Sequence, residues 1–170
     1  FIDLKSYKPV IEQKVAQATG RTFSMGDDMD LSIFPWVGVK LTDIRLGNPE
    51  GFSNEQMVTV KNFEVRLKVM PLLSRKVEVA TFVLDSPAIF LEKRKDGSAS
   101  WLGIGPDKPA DAEARQAPTD SGDGALPIES LKVDSFSILN ATLVYLDKAA
   151  GTEKKVEGFN LTLADISLDK

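Results

Sequence analysis

The chain has no cysteine and no histidine among its 170 residues. Their absence removes thiolate nucleophiles, Cys/His zinc sites, imidazole general bases and every Ser-His-Asp arrangement. It leaves the redox compartment open, because an oxidising periplasm permits disulfides without requiring them. A basic excess is also missing: 21 Lys and Arg against 25 Asp and Glu give a net charge of −4, so nothing is available to neutralise a nucleic-acid backbone, and no nucleic-acid partner is expected. Nowhere does an apolar run reach the ~18 residues that a bilayer-spanning helix requires. The sequence opens on Phe1 and Ile2 without a Met, which reads as the trimmed start of a longer chain. At 42% hydrophobic and 27% charged content, what remains is an ordinary globular composition, with no sign of an enzyme, a cofactor or a metal.

Residues 105–125 contain no Ile, Leu, Val, Met, Phe, Tyr or Trp, but five Ala, three Pro, three Gly and four Asp. Such a stretch buries too little surface to offset its ordering entropy and reads as a flexible linker or long loop. It divides residues 1–104, a helix plus a curved sheet, from residues 126–170, a continuing β repeat too short for its own core and expected to pack on the first part. A helix pattern occurs at the start. Ser6 is placed to cap, Pro9 lies in the first turn and Gly20 terminates, while Tyr7, Val10, Ile11, Val15 and Ala18 form one stripe with Lys8, Glu12 and Lys14 facing away. Replacing Ile11 with Ala is expected to cost roughly 2 to 4 kcal/mol if the stripe is fully buried.

Elsewhere the pattern has period two and breaks in a repeated way. VKLTDIRL from Val39, VTVKNFEV from Val58, VEVATFVL from Val77, LKVDSFSI from Leu131 and a partial KKVEGFNL from Lys154 share one grammar: apolar, x, apolar, two mostly polar residues, apolar, x, apolar. The first three copies start 19 residues apart (58 − 39 and 77 − 58), the mark of a repeated unit. Two readings fit the two-residue step. A β-bulge would absorb one residue and return the second apolar pair to the same face; a tight hairpin would reverse the chain there. The step dipeptides lack the Asn-Gly or Asp-Gly of primed turns, which favours the bulge. The copies at Val77 and Leu131 remain alike well past the step, at an offset of 54, with Ile89 answering Leu143, Leu91 answering Tyr145 and Gly97 answering Gly151.

Adding a strand near residues 28–34 and second strands near 88–93 and 142–147, these patterns predict a mainly β (α+β) fold: a strongly curved, bulged, mostly antiparallel sheet with one N-terminal amphipathic helix. Eight strands at ~4.8 Å span on the order of 35 to 40 Å, whereas one helix is about 10 Å across. Either the sheet closes on itself as a sandwich or barrel, or its apolar face stays open as a groove or half-barrel. The candidate groove residues are Val39, Leu41, Ile44, Leu46, Val58, Val60, Phe63, Val65, Val77, Val79, Phe82 and Leu84, with Lys40, Arg45, Glu64, Arg66 and Glu78 on the outer face.

Three segments, residues 2–21, 31–52 and 65–101, carry the phrases Tyr7-Lys8-Pro9, Ala18 to Arg21, Phe34-Pro35-Trp36, Asn48-Pro49, Gly51-Phe52, Pro71-Leu72-Leu73, Leu84 to Pro87 and Asp96-Gly97. In this order and spacing they resemble the N-terminal region of the AsmA family of bacterial envelope proteins. The resemblance covers residues 2–101 and is looser over 127–170. It implies a periplasmic body anchored to the inner membrane by an upstream helix, similarity to TamB and the chorein-type bridge-like lipid transfer proteins, and a β-groove that moves phospholipid between the two membranes and supports outer-membrane maintenance. The partners so implied are phospholipid or another acyl-chain ligand, the inner membrane and outer-membrane assembly proteins. The alternative is a structural module that assists outer-membrane protein assembly and binds no lipid. The family has no assigned catalytic residues to carry over.

The remaining motifs are weak. Asp27, Asp28 and Asp30, like Asp120 and Asp123, lack the spacing of a calcium loop. Asn140-Ala141-Thr142 and Asn160-Leu161-Thr162 match a glycosylation acceptor but fall within strands. Gly103-Ile104-Gly105 lacks the third Gly of a dinucleotide turn. Trp36 is either a plug over the sheet end or an interfacial aromatic, and Met57, Met70 and Pro71-Leu72-Leu73 read as core.

Overall fold

The computed structural model of the chain describes residues 6–33, 36–74, 76–105 and 130–169. In order these are α1 (Lys8–Thr19), β1 (Phe23–Ser24), β2 (Met29–Ser32), β3 (Trp36–Gly47), β4 (Gln56–Lys68), a short α2 (Val69–Leu73), β5 (Val77–Asp85), β6 (Ala88–Lys93), β7 (Ser130–Asp147) and β8 (Thr152–Asp169). All eight strands belong to one sheet of order β1-β3-β4-β5-β7-β6, in which β2 also pairs with β3, β8 with β7 and β6 with β4. The fold is mainly β, as its two-residue periodicity predicts.

Every copy of the repeated grammar passes through its two-residue step as one unbroken strand, which eliminates the hairpin reading. The grammar is palindromic, so two copies can pair antiparallel with apolar residues always opposite apolar residues. β3 and β4 do this: Val39, Leu41, Ile44 and Leu46 face Val65, Phe63, Val60 and Val58. Copies can also lie parallel in register, and the internal repeat offset of 54 is the register observed between β5–β6 and β7, with Val77 opposite Leu131, Phe82 opposite Phe136 and Ile89 opposite Leu143. A parallel neighbour must start at the same end of the sheet, so the chain has to return there between β6 and β7. Within this connection residues 106–129 lie outside the described residues, and with them all of the expected 105–125 linker except Gly105.

The steps align into two creases. Asp43 on β3, Lys61 on β4, Ser86 between β5 and β6, and Asn140 on β7 stand in one row across the sheet, next to Gly158 on β8. Asp43, Ser86, Asn140 and Gly158 all have positive φ, between 49° and 66°. A left-handed residue adds a half-turn without extending the strand, so the apolar residues on both sides of the crease point the same way. Side chains satisfy the ladder where it opens: Asn62 donates to Asp85 at 2.9 Å, and the Asn140 N–H donates to Asn160 Oδ1 at 2.9 Å. These contacts explain why acceptor-like Asn-x-Thr triplets occur inside strands. The second crease runs through the unpaired Ala80 on β5 and through Asp134 on β7 opposite Asp165 on β8, which has φ 54°.

Three expectations need correction. Tyr7, not Ser6, occupies the N-cap of α1, and no side chain caps it, while Gly20 closes the helix at φ 67° as expected. The stripe is not buried: α1 has no buried residue, and Tyr7 and Val10 are 53% and 51% exposed. The polar face holds the helix instead, Lys8 pairing with Asp27 and the Glu12 carboxylate accepting the Met25 N–H at 3.0 Å. Finally, Met57 is buried as expected, but Met70 is 75% exposed on α2.

Candidate apolar groove

Paired residues on neighbouring strands point to the same face, so the registers define rows of side chains. One row is Leu41, Phe63, Leu84, Ile138 and Leu161; the next is Val39, Val65, Phe82, Phe136 and Leu163; a third is Val37, Leu67, Val79, Val133 and Ile166. Beyond the crease run Leu46, Val58, Ile89, Leu143 and Val156. Ile44 opposes Val60, and Val77 opposes Leu131. All twelve candidate residues thus stand on the same apolar face. Aromatic contacts stitch it across three strands, Phe63 meeting Phe82 edge-on at 5.4 Å and Phe82 stacking on Phe136 at 5.0 Å.

This face carries no second sheet among the described residues. Buried apolar side chains are few among the described residues, and of them only Val60 and Val79 belong to these rows. Most of the groove is half-buried, and toward β8 it opens further, with Leu143 at 41%, Phe159 at 48% and Val156 at 53% exposure. Among the described residues the face is open, the second of the two architectures that the sequence left open. At the β2–β3 edge it runs under α1, where Tyr7, Ile11, Met29, Leu31, Val39 and Leu41 line a cleft of about 370 Å³. At the other end Trp101 approaches Tyr145 at 6.1 Å.

The opposite face is charged as the alternation predicts. Glu64 takes Arg66 at 2.7 Å and Lys40 at 3.6 Å, and Lys68 bridges Glu78 at 3.1 Å and Asp134 at 2.7 Å. Hydrogen bonds from Lys68 to Asp134 and Glu78 hold its ammonium pKa above the ordinary lysine value. Trp36 lies on this outer face beside Gly38 and Arg66, so it does not plug the apolar side.

One end of the sheet is closed by a compact polar cluster. The buried Arg21 guanidinium donates to the Ser100 and Leu102 carbonyls, and its burial lowers its pKa. Ser100, fully buried, places its hydroxyl to accept the Glu92 N–H at 3.0 Å. The Glu92 carboxylate in turn accepts the Ser53 N–H at 2.8 Å and sits 2.9 Å from Lys148 Nζ. Its burial pushes the carboxyl pKa up, but the bonds from Lys148 and Ser53 outweigh this and leave it below the usual value. Gly105 N–H reaches the Thr19 carbonyl at the end of α1, so Gly103-Ile104-Gly105 serves as a packing loop. Among the described residues no group of three or more acidic side chains could hold a metal ion.

The open apolar face, the paired creases and the closing cluster can be set beside known proteins. A family model described as the AsmA family matches residues 1–169. The chain belongs to the AsmA family. A curated relative, the AsmA family protein YhjG of Escherichia coli (strain K12), is 28% identical over 126 residues, which cover 66% of this chain and 18% of that protein. The chain therefore spans under a fifth of its relative's length. No solved structure matches.

Sequence reasoning missed the groove residues of β7 and β8. The signal was available in the repeat itself: the copies from Leu131 and Lys154 carry the same grammar, so Val133, Phe136, Ile138 and Leu161 answer to the candidate residues one or two strands away, whereas Leu163 lies past the copy and is placed only by the register.

Proposed function

We propose that this AsmA family segment contributes a hydrophobic β-groove that binds phospholipid acyl chains, within a periplasmic protein anchored to the inner membrane and engaged in phospholipid transfer and outer-membrane maintenance. The observation that carries the reading is the set of continuous apolar rows across β3, β4, β5, β7 and β8, left half-exposed on one side of a single sheet. Soluble proteins seldom leave such a surface bare. Eight methylenes of an acyl chain buried there at ~0.8 kcal/mol each supply about 6 kcal/mol before ordering costs, enough for binding without a headgroup site. The segment works by binding and not by catalysis.

Native mass spectrometry of the purified chain, followed by lipid extraction, tests the reading. Bound phospholipid in the wild type, lost in Phe82→Glu with the fold intact, is the expected result. A wild type free of lipid, and uncrosslinked by photoreactive phospholipid at Phe82 or Leu163, would leave the segment as an interaction module for outer-membrane assembly.

A further inference from the structure

The sheet ends in β8 with one side of that strand unpaired. Among the described residues β8 pairs with β7 alone, so over its 18 residues the backbone N–H and C=O groups that point away from β7 meet no strand. The other edge is different: β1 and β2 are 2 and 4 residues long, and α1 lies beside β2. Long open edges are normally shortened, interrupted by proline or covered, because they are templates for another strand. β8 contains no proline, and it is exposed from Thr152 to Asn160 and from Thr162 to Asp165. Its sequence is also self-complementary. Counting from Leu161, Phe159 and Leu163 lie two positions away on either side (161 − 159 and 163 − 161), and Val156 and Ile166 lie five away (161 − 156 and 166 − 161). Both wider gaps enclose a two-residue step with a left-handed residue, Gly158 at φ 66° and Asp165 at φ 54°. A second β8 laid antiparallel about Leu161 therefore sets Leu161 against Leu161, Phe159 against Leu163 and Val156 against Ile166, with crease opposite crease. β3 and β4 already pair by this rule, Leu41 with Phe63 and Ile44 with Val60 around the opposed steps Thr42-Asp43 and Lys61-Asn62.

We infer that a second copy of this chain adds to the free edge of β8, the two β8 strands pairing antiparallel about a two-fold axis at Leu161. Backbone hydrogen bonds supply the attraction, and the matched side chains fix the register. Charge agrees with the match. Lys155, which holds Glu157 at 2.6 Å, comes opposite Ser167 and diagonal to Asp165 of the second copy, so the two carboxylates that meet at each crease share its ammonium. Directly opposed residues point to one face, so the apolar rows of the two copies join across the axis. The side chains brought together there are among the more exposed apolar ones, Val156 at 53%, Phe159 at 48% and Leu163 at 43%. Residues 154–168 at ~3.4 Å each span roughly 50 Å, and a sheet about 10 Å thick then offers on the order of 500 Å² per copy. A total of about 1,000 Å² is at the low end for a specific interface, so the dimer comes apart on dilution. The inference does not depend on lipid occupying the groove.

Sedimentation equilibrium of the delipidated chain across the micromolar range tests it, and a reversible monomer–dimer equilibrium is the expected result. Phe159→Lys and Leu163→Glu, both at exposed positions, should each weaken the dimer about tenfold, because a charge is set against an apolar partner at both of its contacts. Mixed in equal amounts, the two variants should recover most of the affinity, since the register then sets Lys against Glu at one contact and leaves Phe against Leu at the other. Leu143→Glu, at a position 41% exposed on the same face but one strand in from the edge, should leave the dimer intact. A chain that stays monomeric at every concentration would overturn the inference and leave the edge to a different strand. A mixture no tighter than either variant alone would overturn the register about Leu161. Dissociation by Leu143→Glu as complete as by the edge variants would show copies stacked face to face, and would overturn edge pairing.

Discussion

The closed end and the open face of this sheet bury opposite things. Around Arg21, Glu92 and Ser100 the most sequestered side chains are polar, at 8%, 4% and 0% exposure, each tied to a neighbouring loop or strand. Along the strands most apolar side chains stay half in water, with Met57, Val60 and Val79 the buried exceptions. Polar side chains are ordinarily the exposed ones, and the contrast teaches that a network of hydrogen bonds can be sequestered at one end while much of an apolar face stays in contact with water. Backbone ladders and the polar cluster hold the sheet together, so the apolar face need not be consumed as core.

The largest expected effect sharpens that division. Val60 is 7% exposed and Leu163 is 43% exposed, though both stand on the apolar face. Val60→Asp buries an unpaired carboxylate and should destabilise the fold by about 3 kcal/mol or more, whereas Leu163→Asp should cost roughly 0.5 kcal/mol, as exposed sites do. Chemical denaturation of both reads the difference; equal losses would mean the face is sealed in solution. Charges meant to test ligand binding therefore belong at half-buried positions such as Phe82 and not at Val60.

At the closed end, Glu92→Gln leaves Lys148 without its partner and weakens the hold on the Ser53 loop. A loss of about 1 to 3 kcal/mol is expected, the cost of unpairing a buried polar group, or several degrees in Tm. The pH dependence follows from sign. Glu92, Asp85, Asp96 and Asp147 all have folded-state pKa values below their ordinary ones, Asp85 through hydrogen bonds from Asn62 and Ser86. Their contribution is complete above the ordinary carboxylate range and is lost as pH falls through the depressed values. Tm should thus be flat from neutral pH to about 5 and drop below about 4.5, less steeply in Glu92→Gln. A wild-type profile that stays flat below that range would show that the cluster contributes nothing as an ion pair.

Much of this was legible in the sequence because period, spacing and palindromy are properties of the strand itself. The five steps, the offset of 54 and the apolar face all follow from them. What was not legible depends on distant partners. Nothing near Glu92 announces Lys148, which is 56 positions away (148 − 92), and the helix stripe of Tyr7 and Val10 looks like core until the sheet edge is seen to hold Lys8 and Glu12 instead. Ile11 consequently lines a cleft and is only half-buried, so Ile11→Ala should cost about 1 kcal/mol, not the 2 to 4 of a sealed site. A loss of 3 kcal/mol would mean that α1 clamps down on the sheet in solution.

The smallest expected effect concerns the crease that allows one face to collect the apolar residues. Asp43 holds φ 49° while the neighbouring Thr42 hydroxyl donates to the Asp28 carbonyl at 3.1 Å, so the left-handed turn is fixed by its surroundings and not by the Asp43 side chain. Glycine adopts this conformation without the steric cost paid by other residues. Against that gain stands the greater chain entropy glycine brings to the unfolded state. Asp43→Gly should therefore be neutral or stabilising by a few tenths of a kcal/mol, while Asp43→Val, β-branched and forced to positive φ, should lose about 1 to 2 kcal/mol. The pair isolates backbone conformation from side-chain chemistry, because neither variant touches the groove rows. If Asp43→Val melts like the wild type, the strand has found a regular path through the step, and Ile44 and Leu46 would then point to the face opposite Val39 and Leu41.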